Sequence, residues 1–436
     1  MLQNFFFHLE SINSFIWSYL AFGIILFLGL YFTITSKAFQ FRKFPRIFNN
    51  FLSTFKNDEK SEKGENPFRL FLTALGGSIG IGNIVGISLA IQIGGPGALF
   101  WVWIAGILGM LLQYSEVYIG MLHRKENSSN GYSGGPMHFL PVAFKKKYVA
   151  YIAAFLLCVY GVELFIFNVI SESISSNWHI PKPIVIGAVL SLVLLAVSGG
   201  VKRISKICIS ILPIFLSIYG IMAAIVFFKH ISLVPTVFLS IVKGAFTTQA
   251  ATGGFAGSTV LLTIAAGLSR GAYAGDLGIG YNSIIHCQTK TDKPHTQAAL
   301  TSMGILFNTF IVCSISTFLV LITDVWSDKM DVSLMVQAAL AKHFPYMNLY
   351  MPLFLFVMGY LTVTTYFFVG LKCAEYISPK RGKLLYYLYA IIALPLFAFV
   401  DPKEAFILMS TAGALLLLLN LTAIFILRKQ IKFHVD

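Results

Sequence analysis

Apolar stretches of about twenty residues recur along this chain, and the segments between them carry nearly all of its charge. No other feature constrains the fold as strongly. A helix that crosses a bilayer needs roughly 20 such residues. Lipid offers no hydrogen bonds, so each crossing must satisfy its own backbone. Eleven segments qualify, at approximately 12–33, 69–95, 98–120, 149–169, 184–200, 205–228, 244–269, 298–323, 349–371, 384–400 and 404–427. The fifth and tenth are short, and an interfacial helix rather than an open loop is expected within 228–244. The first run is expected to remain as a helix, because residues 1–11 hold no Lys or Arg and no small-residue cleavage site follows. Composition agrees with an all-α integral membrane protein. Hydrophobic residues make up 57% and charged residues 11%, whereas a soluble domain carries about 25% charged residues.

The net charge of +14 does not point to nucleic acid once the charges are placed on the chain. If alternate loops face the cytoplasm, starting with 34–68, that side receives 26 of the 32 Lys and Arg, Arg270 among them. Cytoplasmic loops are enriched in Lys and Arg. Eleven spans with the N-terminus outside and the C-terminus cytoplasmic satisfy that rule.

Glycine interrupts two spans. The second reads Gly76-Gly77-Ser78-Ile79-Gly80-Ile81-Gly82-Asn83, and the seventh contains Gly253-Gly254-Phe255-Ala256-Gly257. Each opens a block of five spans, and an odd number makes the two blocks enter from opposite sides. Paired broken segments in inverted halves point to a transporter site at the bilayer midplane. The chain therefore divides into an N-terminal helix and basic loop (1–68), a first half (69–228) and a second half (229–436). Half-helix N-termini suit a substrate carboxylate, and freed carbonyls suit a cation or ammonium group.

Other chemistries find no footing. There is no Gly-Lys-Ser/Thr phosphate loop, so neither an ATP-driven pump nor an ATPase subunit is implied. No metalloprotease or nucleophile-elbow motif appears. The five cysteines read as packing residues. No enzyme activity, organic cofactor or metal other than Na⁺ is expected. Two acids lie well inside spans, Glu116 and Glu163, and intramembrane acids are proton-carrier candidates. Asn83, Asn308, Thr309, Thr362, Thr364, Thr365 and Tyr366 supply uncharged oxygens for Na⁺ or a zwitterion.

At these residues the chain resembles the alanine or glycine:cation symporter family. Gly80 to Gly86 followed by Gly94 to Trp103 is similar to its most specific signature. Gly134 to Met137, Gly199 to Arg203, Gly253 to Gly257, Arg270-Gly271, Asn308-Thr309 and Cys313-Ser314 resemble further signatures in the right order. The resemblance spans roughly residues 15–425. It implies a LeuT-like inverted five-plus-five repeat after one extra N-terminal helix. It also implies uptake of alanine, D-alanine or glycine coupled to Na⁺ or H⁺ across a bacterial inner membrane. Carried over by position, the substrate would meet Ser78, Gly80, Gly82, Asn83, Phe255, Thr362, Val363 and Tyr366. A cation would meet Asn308, Thr309, Thr362 and Thr365. The chain departs from the family pattern at Ile81, Ser171, Tyr366 and the Ala274–Gly278 stretch, which keeps a carboxylate at Asp276. Asn308 and Leu371 stand where the family carries acids, and Glu163 is an acid it does not have. These departures keep a second reading open, a transport-dead relative that binds an amino acid and signals.

Overall fold

The computed structural model describes residues 2–56, 64–126, 131–247, 260–328, 330 and 332–435, most of them helical. Among the described residues seven helices are long and apolar enough to cross a membrane: Phe5–Thr35, Ala98–Leu122, Tyr148–Trp178, Gly200–Lys229, Pro294–Ile322, Met347–Ile377 and Pro402–Ile426. The bent pair Pro67–Ser78 and Gly82–Gly94, whose halves meet at 53°, passes the same test taken together and makes eight if it is one span. The other three predicted segments correspond to the shorter apolar helices Lys182–Ser198, Val260–Ala274 and Gly382–Ala398. A helix, Val234–Gly244, also fills the stretch between the sixth and seventh segments.

Burial sorts the helices by position. Met347–Ile377 is the central one, since every residue from Leu361 to Leu371 is buried. A helix apolar on all sides belongs inside such a bundle. Gly382–Ala398 lies at the periphery and exposes Leu384, Leu385, Leu388, Ile392 and Leu396.

The first broken helix starts where its sequence dictates. Asn66 Oδ1 accepts hydrogen bonds from Phe68 N at 2.8 Å and Arg69 N at 3.3 Å, and Pro67 takes the first helical position. The helix stops at Ser78 because Ile79 turns extended (φ −85°, ψ 94°). Glycine at position 80 is required by a close approach, since a Cβ there would lie 2.5 Å from Thr362 Oγ1.

Two boundaries differ from the hydropathy reading. The fourth segment runs on to Trp178, past a break at Gly161–Glu163. The seventh runs to Ala274 rather than 269, so Arg270 sits inside a helix and not in a cytoplasmic loop. A single charge at the end of an apolar run had been taken for the loop boundary.

Close backbone contact fixes Val234–Gly244 to the bundle. Trp101 Nε1 donates to Ala245 O at 3.1 Å, and a Cβ on Gly97 would overlap the backbone of Gly244 and Ala245. Gly97→Ala should therefore lower the thermal midpoint of the detergent-solubilised protein, at a cost of about 1–3 kcal/mol. Gly187→Ala, with nothing within 4 Å of its Cβ, is the matched control and should leave the midpoint unchanged or raise it slightly.

Candidate functional site

Helix Gly82–Gly94 begins with a wide-turned segment, Gly82–Gly86, that contains Asn83. Wide turns of this kind concentrate at functional positions. Asn83 is buried and folds back on the break. Its Oδ1 accepts from Gly80 N at 3.0 Å, and its Nδ2 donates to Asn308 Oδ1 in a short contact. Asn308 lies in a second wide-turned segment, Leu306–Cys313. It reaches onward with Nδ2 to Ala274 O at 2.8 Å and, more weakly, to Ser78 O at 3.4 Å. One amide pair thus joins the broken end of the first helix to that of another.

That other end is a break at Gly275–Gly280. The predicted Gly253–Gly257 break, with Phe255, lies outside the described residues. At 275–280 the chain leaves the helix through Asp276 (φ 51°), Gly278 (φ 70°) and Gly280 (φ 99°), then resumes as Tyr281–His286. A glycine tolerates these left-handed angles, whereas Asp276 holds one at a cost. Buried side chains from three other helices satisfy the interrupted backbone. Besides Asn308 on Ala274, Gln113 Nε2 donates to Gly275 O, and Asn420 Nδ2 donates to Gly278 O at 2.9 Å. Glu116 Oε1 accepts from Ser283 N at 3.0 Å. This fully buried acid receives the N–H at the start of the second half-helix.

Asp276, the carboxylate kept in the Ala274–Gly278 stretch, is buried as well, although it follows the predicted span. The Ser78 and Tyr366 side chains face its carboxyl group. The Tyr366 hydroxyl and Asp276 Oδ2 close no hydrogen bond of standard geometry. Tyr366 stacks on Tyr281 with ring centroids 4.1 Å apart and meets Tyr160 edge-on at 5.4 Å. Glu163, also buried and left-handed (φ 53°), heads helix Leu164–Trp178 without capping it. Its carboxyl group lies within electrostatic range of Asp276 and of the Tyr160 and Tyr273 hydroxyls. Among the described residues no lysine or arginine forms an ion pair with either acid.

A cavity of about 660 Å³ leads toward this region from the end of the bundle that carries Glu172, Asp401 and Lys403, and it reaches Gly82, Arg270 and Tyr273. A separate small space lined by Ser78, Asn308, Gln113 and His286 holds about 10 Å³. That is at the lower limit for one water molecule.

The predicted substrate residues are thus partly assembled. Ser78, Gly80, Gly82, Asn83, Thr362 and Tyr366 surround the first break, and Val363 is fully buried on the same helix as the last two. The Gly80 N–H, expected to hold substrate, is already taken by Asn83. The predicted cation set is divided. Thr362 and Thr365 donate to Met358 O and Leu361 O and face Gly80 and Gly77, and the Thr365 hydroxyl also neighbours the Cys208 and Tyr281 side chains. Thr309 instead faces Gly106, and Asn308 is spent on the two breaks. The alignment-derived Ser171 bonds only its own helix, to Phe167 O at 2.8 Å. Sequence reasoning missed Gln113, Asp276 and Asn420 as functional groups. Polar side chains within apolar runs were the only signal for Gln113 and Asn420.

A family model described as the sodium:alanine symporter family matches residues 3–435. The chain belongs to this family. As a member it is a multi-pass membrane transporter of amino acids. It is similar to "Uncharacterized transporter YflA" of Bacillus subtilis (strain 168), 29% identical over 97% of this chain and 91% of that one. "Sodium/alanine symporter AgcS" of Methanococcus maripaludis is 28% identical over 86% of this chain and 84% of its own. "Probable sodium/glutamine symporter GlnT" of Bacillus subtilis is 26% identical over 96% and 87% respectively.

The amide pair in this symporter yields a double-mutant cycle. Asn83→Ala and Asn308→Ala should each destabilise the purified protein, and their combination should cost less than the sum by about 1 kcal/mol. Denaturation of the four proteins in detergent measures it; strict additivity would show that the two amides act independently.

Proposed function

We propose that the chain imports a small neutral amino acid, alanine or glycine in size, together with Na⁺ by alternating access. The observation that carries this reading is the meeting of two interrupted helices through Asn83 and Asn308, with a carboxyl group at the junction. The substrate carboxylate binds at the N-terminus of Gly82–Gly94, where the first N–H groups have no partner within the helix. Its ammonium group binds near Asp276 and Ser78. Thr362, Val363 and Tyr366 close the pocket around a short side chain. Na⁺ sits between the first break and the Thr362 and Thr365 hydroxyls, in an oxygen-only shell suited to a hard cation.

The broken pair Pro67–Gly94 opens the first block of five segments and the segment with the Gly253–Gly257 run opens the second, the arrangement of a LeuT-like inverted repeat behind one extra N-terminal helix. With the basic end cytoplasmic in a bacterial inner membrane, the 660 Å³ cavity faces outward, and the separate space beside Ser78 and Asn308 has room for about 10 Å³. This is the state that accepts substrate from outside. The name of AgcS supports alanine and Na⁺, and that of GlnT supports Na⁺ with a larger amide substrate.

Uptake of labelled alanine into proteoliposomes tests the reading. An inward Na⁺ gradient should drive accumulation, and equally strong uptake of leucine or phenylalanine would remove the size limit. Asp276→Asn should reduce uptake by about tenfold or more, the loss of one charge-assisted contact. Saturable binding without counterflow would favour the sensor instead. H⁺ coupling is the second reading, because Glu163 and Asp276 lie together without a basic partner among the described residues. If protons drive uptake, Glu163→Gln should abolish its pH dependence; an unchanged profile leaves Glu163 a structural acid.

A further inference from the structure

The charged groups lining the 660 Å³ cavity are paired, with one exception. Glu172 bonds Lys182 at 2.6 Å, Lys403 bonds Glu10 at 2.8 Å, and Asp401 Oδ1 accepts from Lys403 N at 2.8 Å. Arg270 alone lines the cavity without a carboxylate or hydrogen-bond partner among the described residues. Its guanidinium stacks over the Phe406 ring at 5.0 Å. Phe406 in turn meets Phe165 at 5.2 Å and Tyr273 at 5.5 Å, and all three rings line the same cavity.

This is a built surface rather than a stray charge. Stacking on an aromatic wall fixes the plane of a guanidinium and leaves its N–H edge free. That edge matches a carboxylate with two parallel hydrogen bonds. A lone positive charge in a low-dielectric cleft also focuses the field and raises the local concentration of anions. Helix Val260–Ala274 holds Arg270 one turn before the second break, and the cavity continues from it to Gly82.

We propose that Arg270, with Phe406 and Tyr273, forms a second carboxylate-binding site in this cavity. An amino acid is held there by its carboxylate before it passes to the site between the breaks. The role of the site as a waiting position rests on the amino-acid reading above; its carboxylate chemistry does not.

Full-length protein in proteoliposomes is treated with phenylglyoxal, which adds to guanidinium groups, and modification at Arg270 is followed by mass spectrometry. Alanine, acetate, alaninamide and chloride are each tested as protectants. Alanine at ten times its Kd should slow modification by about tenfold, and alaninamide should not. Protection by alanine but not acetate marks a site for amino acids; equal protection by acetate marks a site for carboxylates in general. Equal protection by chloride, or none by any probe, overturns the proposal.

Alanine uptake in the same vesicles separates the two readings. Protection without uptake leaves the site standing and removes alanine as cargo, while uptake without protection removes the site. Where uptake occurs, Arg270→Gln and Arg270→Lys should both raise KM by about tenfold with kcat little changed. Lysine keeps the charge but not the paired N–H edge. Full recovery in Arg270→Lys would overturn the two-bond geometry.

Discussion

The hydrogen bond from Asn308 to Ala274 O, with Asn83 resting on Asn308, carries more of this architecture than any apolar contact. A helix interrupted inside a bilayer leaves N–H and C=O groups that lipid cannot satisfy, each at a cost of several kcal/mol. Here side-chain amides stand in for the missing turns. Asn308, Gln113 and Asn420 each supply an N–H to a carbonyl along Ala274–Gly278, and Glu116 receives the N–H of Ser283. Because the donors come from different helices, they hold the gap open only while the whole bundle is packed around it. What the gap offers a ligand is the remainder of its polar groups.

The same accounting separates residues that shape the site from residues able to touch a ligand. Asn83 has its carbonyl on Gly80 and its amino group on Asn308, so its capacity is used within the protein. Glu116 likewise serves a helix end. Asp276 Oδ2 and the Tyr366 hydroxyl are buried and unbonded, and they face each other across the junction. The distinction lies in hydrogen bonds already formed, which residue type alone does not convey.

The apolar runs made the helices legible, because burial in lipid writes directly into composition. The first break was equally readable, since Gly76, Gly77, Gly80 and Gly82 crowd one segment. The predicted second interruption, Gly253–Gly257, lies outside the described residues. The break at Gly275–Gly280 was not legible, because it spreads its glycines among Asp276, Leu277 and Ile279 and looks like the start of a loop. Arg270 misled for a related reason. A charge near the end of an apolar run reads as the membrane boundary, but this one is sheltered by Phe406. Gln113 and Asn420 were unreadable as partners, since each meets a backbone carbonyl more than a hundred residues away along the chain.

That separation has a consequence for how the molecule is made. Gly278 O receives its hydrogen bond from Asn420, 142 residues later and in the final long helix. During synthesis the chain emerges and inserts from its N-terminus. When Gly278 enters the membrane, its partner has not yet been translated. The carbonyl must borrow water or a temporary neighbour until Pro402–Ile426 arrives. The junction at Gly275–Gly280 therefore reaches its mature order only once the final long helix is in place, and a chain truncated before Asn420 would lack the donor that Gly278 O requires.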